Sequence, residues 1–186
     1  MDFSKLKTHH WLVVGGAIGM FVFGFLKWET FSGPGGLFNV AGGNVFDFFW
    51  TGTLPWLLLI AAAIVTVLTT TGKLKGKLPW PLLIFAATAL AGLLLLIRLI
   101  FNPLDGKSAI EAAGGSIGRG AGLILSAISG IVAAVGGFLT FKASGGQLAD
   151  LKDMDKLKSQ FADASGTPPP PPAAPMPPPP PPPPPS

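Results

Sequence analysis

The side chains able to do chemistry are few in this 186-residue chain, and their spacing limits what they can do. His9 and His10 are adjacent and sit just before an apolar run that begins at Trp11. A helical zinc site of the HExxH kind needs two histidines one turn apart with a carboxylate between them, and no such partner accompanies this pair. Neither the glycine-rich loop of residues 29–53 nor the glycine-rich run of residues 114–141 contains Lys followed by Ser or Thr, as a phosphate-cradling loop requires. Solute transport calls for ionisable groups lined up at mid-membrane. The central parts of the apolar runs hold only Thr66, Thr88, Ser126 and Ser129, each able to bond back to its own helix. Arg98 lies about one turn from the end of its run. There it can snorkel to headgroups, or pair with Asp105 or Glu111. The expectation is a non-enzymatic protein with no cofactor and no metal site.

The composition says what must position these residues. Hydrophobic residues make up 49% of the chain and charged residues only 12%, with a mean hydropathy of +0.55. A soluble domain of this length cannot hide so much apolar surface, so a lipid bilayer is the expected solvent. There is no cysteine, which excludes disulfides and thiolate metal sites. The formal charge is +4, but the basic residues are scattered beside apolar runs, so they read as topology signals and nucleic acid is not an expected partner.

The expected fold is all-α: a four-transmembrane-helix bundle over residues 1–142, a juxtamembrane amphipathic helix over 143–166 and a disordered polyproline tail over 167–186. Four spans are predicted, at about residues 11–27, 54–71, 80–101 and 118–141. The first is barely long enough for roughly 30 Å of hydrocarbon, and bulky residues fill the place where a leader-peptide cleavage site would stand. Pro55 is tolerated in the first turn of the second span, where a missing N–H costs nothing. Trp11, Trp28, Trp50, Trp56 and Trp80, with Arg98, are expected at the membrane interfaces. Residues 29–53 read as a loop rich in glycine and aromatics, with an interfacial segment near residues 44–50, serving either as a cover over the helix ends or as an outward recognition loop.

In lipid, Leu gains little from packing on Leu, and close backbone approach past small residues draws helices together. Gly114, Gly118, Gly122, Ser126, Gly130 and Ala134 recur at every fourth position and predict such a ridge on the last span. Gly15 and Gly19 form a GxxxG pair on the first span and are its expected contact. The ridge suits the internal packing of one chain or the contact of a homo-oligomer.

Lys and Arg set the orientation. The N-terminus, the middle turn and the C-terminal segment hold Lys5, Lys7, Lys73, Lys75, Lys77, Lys142, Lys152, Lys156 and Lys158. The other two loops and their flanks hold Lys27, Arg98, Lys107 and Arg119. This imbalance predicts a multi-pass plasma-membrane protein with both termini in the cytoplasm. After the last span, Leu148, Leu151, Met154, Leu157 and Phe161 recur at helical spacing on a segment whose charges nearly cancel. The tail is almost pure proline, so it is expected to form a solvated polyproline II rod reaching on the order of 50 to 60 Å. Pro168, Pro172, Pro177 and Pro185 mark its length as a surface for a proline-recognising cytoplasmic protein, the alternative being a spacer.

This layout resembles the small four-span membrane proteins common in actinobacteria and relatives. The resemblance rests on Phe25-Leu26-Lys27-Trp28 after the first helix, Arg98-Leu99-Ile100-Phe101-Asn102-Pro103 after the third, Gly118-Arg119-Gly120-Ala121-Gly122 and Gly136-Gly137 in the fourth, and the proline-rich tail. It spans residues 11–142 and implies a cell-envelope location and this topology, without an activity. The leading functional expectation is a membrane anchor or adaptor presenting the tail to a partner. An oligomeric channel or small-molecule permease, and a structural subunit of a larger membrane complex, stand beside it.

Overall fold

The computed structural model of the chain describes residues 4, 6–33, 39–74, 78–101, 107–148, 152, 153, 155, 157–159 and 161. Among these residues the chain is mostly helical, with α1 (Thr8–Gly24), α2 (Leu54–Thr70), α3 (Trp80–Phe101), a short α4 (Lys107–Ala112) and α5 (Ala121–Ala143). Three helical stretches, Phe49–Thr70, Trp80–Phe101 and Ala121–Ala143, are long and apolar enough to cross a membrane. Helix α1 is apolar too, but shorter, at 17 residues. Pro55 stands in the first turn of α2, and a π turn over Phe49–Thr53 runs directly into that helix.

The helices pack through their smallest residues. Helix α5 lies against both α1 and α3, and α2 completes the group by packing on α1 and α3. A Cβ built on Gly16 would stand 2.6 Å from the Ser129 carbonyl oxygen, and one on Gly136 would stand 2.7 Å from the Val13 nitrogen, so α1 and α5 touch backbone to backbone. On the other flank, a Cβ on Gly130 would meet Leu95 Cδ1 at 2.6 Å, and one on Gly92 would meet the Gly130 carbonyl oxygen at 3.3 Å. Such close backbone approach is what small residues permit. Hydroxyls inside the helices bond to their own turns: Thr66 donates to Ala62 C=O (2.7 Å), Thr88 to Ile84 C=O (2.9 Å), Ser129 to Leu125 C=O (2.9 Å) and Thr140 to Gly136 C=O (2.8 Å). Ser126 is the exception to the expected back-bonding, with its buried Oγ lacking a partner among the described residues.

Several sequence expectations need correction. The segments between helices are not simply loops, because β1 (Glu29–Ser32), β2 (Asn39–Ala41) and β3 (Ser116–Arg119) form an antiparallel sheet in the order β2-β1-β3. Phe31 faces Val40 on one side and Ile117 on the other. Gly114 and Gly118 therefore leave the predicted ridge. Gly114 turns with φ +80°, a conformation that costs glycine no Cβ clash, and Gly118 lies in β3 opposite Thr30. Helix α5 starts only at Ala121, and Gly122, Ser126, Gly130 and Ala134 are on it. Gly15 also fails as a contact, since nothing lies within 4 Å of a Cβ placed there. Gly16, one residue and about 100° further round the helix, takes the contact with α5, while a Cβ on Gly19 would press on Ser129 Oγ at 2.5 Å. Finally, α1 ends at Gly24 and not near residue 27, because the following backbone is drawn across α5: Gly122 N–H donates to Lys27 C=O (3.0 Å) and Gly120 N–H to Trp28 C=O (2.7 Å).

Some expectations fall outside the described residues. The proline tail, with Pro168, Pro172, Pro177 and Pro185, does so entirely, as do Lys5, Lys75, Lys77, Asp105, Leu151, Met154 and Lys156. In the segment predicted to be an amphipathic helix, Leu157 N–H donates to Asp153 C=O (3.1 Å), and Leu148 and Phe161 are exposed.

Candidate functional site

The sheet closes one end of the helix group, and the chain's buried charges meet beneath it. Glu29 opens β1 immediately after the crossing over α5, and Arg98 lies in the last turn of α3. Each is only 2% exposed, and Arg98 Nη2 donates to Glu29 Oε1 in a buried ion pair. The Phe48 ring lies against the guanidinium, with Cζ 3.8 Å from the ring centroid, and Trp28 stacks on Phe48 at 6.2 Å and 17°. The Phe48 ring face thus supplies negative potential to a cation removed from water. Burial pushes the Glu29 carboxyl above its ordinary value, while the Arg98 guanidinium pulls it back toward ionisation.

Local structure delivers Phe48 to this place. Asn44 caps a 3-10 turn over Val45–Asp47, accepting from Phe46 N–H (3.0 Å), and the Asp47 carboxylate accepts from Asn44 N–H (2.7 Å). Thr53 Oγ1 donates to Val45 C=O (3.2 Å), tying the π turn to it. Wound this tightly, the segment turns Val45 and Phe48 toward the helices and leaves Phe46, Phe49 and Trp50 exposed. Trp28 N–H donates to Gly43 C=O (2.8 Å), which fastens the segment to the start of β1.

A second arginine secures the same helix end. Arg119 of β3 donates through Nε to Leu99 C=O (2.5 Å) and through Nη2 to Ile100 C=O (2.9 Å). Carbonyls at a helix C-terminus lack intrahelical donors and carry partial negative charge, so a forked cation there satisfies both needs. The end of α3 is therefore gripped by side chains from two neighbouring strands.

The structure reassigns two predicted interface residues. Arg98 does not snorkel; it is buried against Glu29, 69 positions away in sequence. Trp28 is fully buried in the core under Phe48 and is not an interface residue. Of the other tryptophans, Trp11 is 51% and Trp50 71% exposed, while Trp56 and Trp80 are half-buried. Sequence reasoning missed Glu29, Phe48 and the capping role of Arg119. The one available signal for Glu29 was an acid placed directly after an apolar span, with an unmatched arginine near the end of another.

This arrangement holds elements together. Arginine stays charged at any ordinary pH, and a carboxylate bonded to it is not a free base. Among the described residues no three His, Asp or Glu side chains stand close enough to share a metal ion. Compared with known protein families, curated proteins and solved structures, the chain matches none.

Proposed function

We propose that α1, α2, α3 and α5 all cross the plasma membrane, with both termini in the cytoplasm, and that the protein is a non-enzymatic anchor or adaptor carrying a polyproline rod. The observation that carries this reading is the close backbone packing of the helices. Small residues of α5 bring it into backbone contact with both α1 and α3, the Thr66, Thr88 and Ser129 hydroxyls bond to their own turns, and Arg98 and Glu29 neutralise each other under the sheet. Such a body suits holding a position in the bilayer better than passing a solute through it. Helix α1 fits as the fourth span despite its length, because a short apolar helix is accommodated by local thinning of the bilayer. The excess of Lys and Arg in the N-terminal, middle-turn and C-terminal segments supports the orientation, and the proline run supports recruitment because a preformed rod docks at low entropic cost.

The test is affinity capture from native membranes, comparing the full chain with one ending at Thr167. A partner recovered only with the full chain is the expected result. Identical partner sets, together with solute flux in vesicles containing only this protein, would overturn the adaptor reading.

A further inference from the structure

At the end of the helices away from the sheet, an open crevice of about 360 Å³ separates the start of α1 from the end of α5, lined by Thr8, His9, Leu139, Lys142 and Ala143. Its chemistry is divided. Leu139 and Ala143 give an apolar floor, while the Thr8 hydroxyl, the His9 ring and the Lys142 ammonium supply polar groups. Lys142 is exposed and has no carboxylate partner among the described residues. The surroundings share its sign. In residues 6–148 the described carboxylates Glu29, Asp47 and Glu111 belong to the sheet end, whereas Lys7, Lys73 and Lys142 are at this one; beyond α5, Asp153 and Asp155 are matched by Lys152 and Lys158. Two turns along α1 from Thr8, on the same face, Gly15 leaves open space, and two turns back along α5 from Lys142, Val135 is exposed.

We propose that this crevice seats the anionic headgroup of a membrane phospholipid, its phosphate held by Lys142 and Thr8 and its acyl chains lying along Leu139 and Val135. A cation and a hydroxyl above apolar helix surface match an amphiphile whose charge and hydrocarbon are joined at the membrane boundary. A soluble phosphate would use the polar half alone.

The inference rests on the membrane placement proposed above, and membrane fractionation tests that placement separately. Phosphatidylglycerol and phosphatidylcholine are titrated against the purified full chain in neutral detergent, with bound lipid counted by native mass spectrometry and melting followed in parallel. One phosphatidylglycerol is expected to bind in preference to phosphatidylcholine and to raise the melting temperature. Lys142→Gln should weaken that binding at least about fivefold, and Thr8→Val should also weaken it. Lys73→Gln, at the same end but on the α2–α3 connection, should leave it unchanged. Equal losses in Lys142→Gln and Lys73→Gln would show a diffuse charge effect and overturn the site. Equal binding by Lys142→Gln and the unaltered chain would also overturn it, as would inorganic phosphate reproducing the thermal shift. A chain that fractionates with membranes yet shows no preference for phosphatidylglycerol refutes the crevice alone.

Discussion

Replacing Arg98 with Met removes the guanidinium from both Glu29 and the Phe48 ring and leaves Glu29, 2% exposed, without its counter-charge. Breaking a buried pair by deleting one partner costs about 3–5 kcal/mol. A desolvated cation–π contact contributes up to about 2 kcal/mol, and Met refills part of the volume. A loss of about 3 kcal/mol at neutral pH is therefore expected. The carboxyl can relieve some of it by taking up a proton. Burial already raises its pKa, and removing the guanidinium raises it further. With the folded value above the unfolded one, the folded state binds the extra proton. Stability then falls as pH rises through that window and recovers on acidification, with a slope approaching about 1.4 kcal/mol per pH unit. Glu29→Gln behaves differently, because the arginine it strands cannot shed its charge, and acid brings no recovery through this pair. The double variant Glu29→Leu/Arg98→Met strands no charge and should return to within about 2 kcal/mol of the original chain. Thermal unfolding in detergent from about pH 5 to about pH 8 would read all three, using tryptophan emission, to which the buried Trp28 contributes. The reasoning fails if Arg98→Met loses under about 1 kcal/mol, if its loss is the same at every pH, or if the double variant is worse than either single one.

Further outcomes follow from the glycine contacts and from the bonds at the end of α3. Gly122→Leu places a Cβ 2.8 Å from both the Leu26 and Lys27 carbonyl oxygens, so the backbone crossing must shift, and a loss of about 3 kcal/mol or more in thermal stability is expected. Gly15→Leu, facing open space, should stay within about 0.5 kcal/mol of the original chain in the same assay. Arg119→Ala removes both bonds to the end of α3 and should cost about 1 kcal/mol, with faster amide exchange confined to the last turn of that helix. Arg119→Lys, a single point charge, should restore only part of this.

What was readable in the sequence was local. The apolar runs that become α2 and α3 contain enough residues in one unbroken stretch to show their extent, and Pro55 marks the start of α2. The strands are three or four residues long, and β1 meets β3 only after two long helices have returned the chain to the same end. No window of neighbouring residues contains that pairing, so the second half of β3, Gly118 and Arg119, reads as the start of the last span. The error over Gly15 and Gly16 has a related origin. The GxxxG spacing singles out Gly15 and Gly19 and passes over Gly16, whose fourth-following residue is Met20, and only the rotation of α1 against α5, a property of two helices and not of one, brings Gly16 into the contact. The acids near Arg98 in sequence are Asp105 and Glu111, whereas its partner Glu29 lies 69 positions away in a different connection.

The buried pair and the small-residue contacts divide the task of specifying this structure. Close packing of Gly92 on Gly130 and Ala134 brings α3 and α5 together. In lipid it gives little reason to prefer one axial position, because the same small-residue spacing recurs along α5 at Ser126, Gly130 and Ala134. A slip of one turn would move α3 by about 5.4 Å and could still place small residues opposite one another. It would also pull Arg98 away from Glu29 and Phe48, strand two charges out of water, and withdraw the Leu99 and Ile100 carbonyls from Arg119. Those penalties act at one end of the helix and have no equivalent one turn away, whereas the small-residue contacts recur there. The sheet end then sets the register that the glycines leave open, a role that a buried ion pair can have even where its net contribution to stability is small.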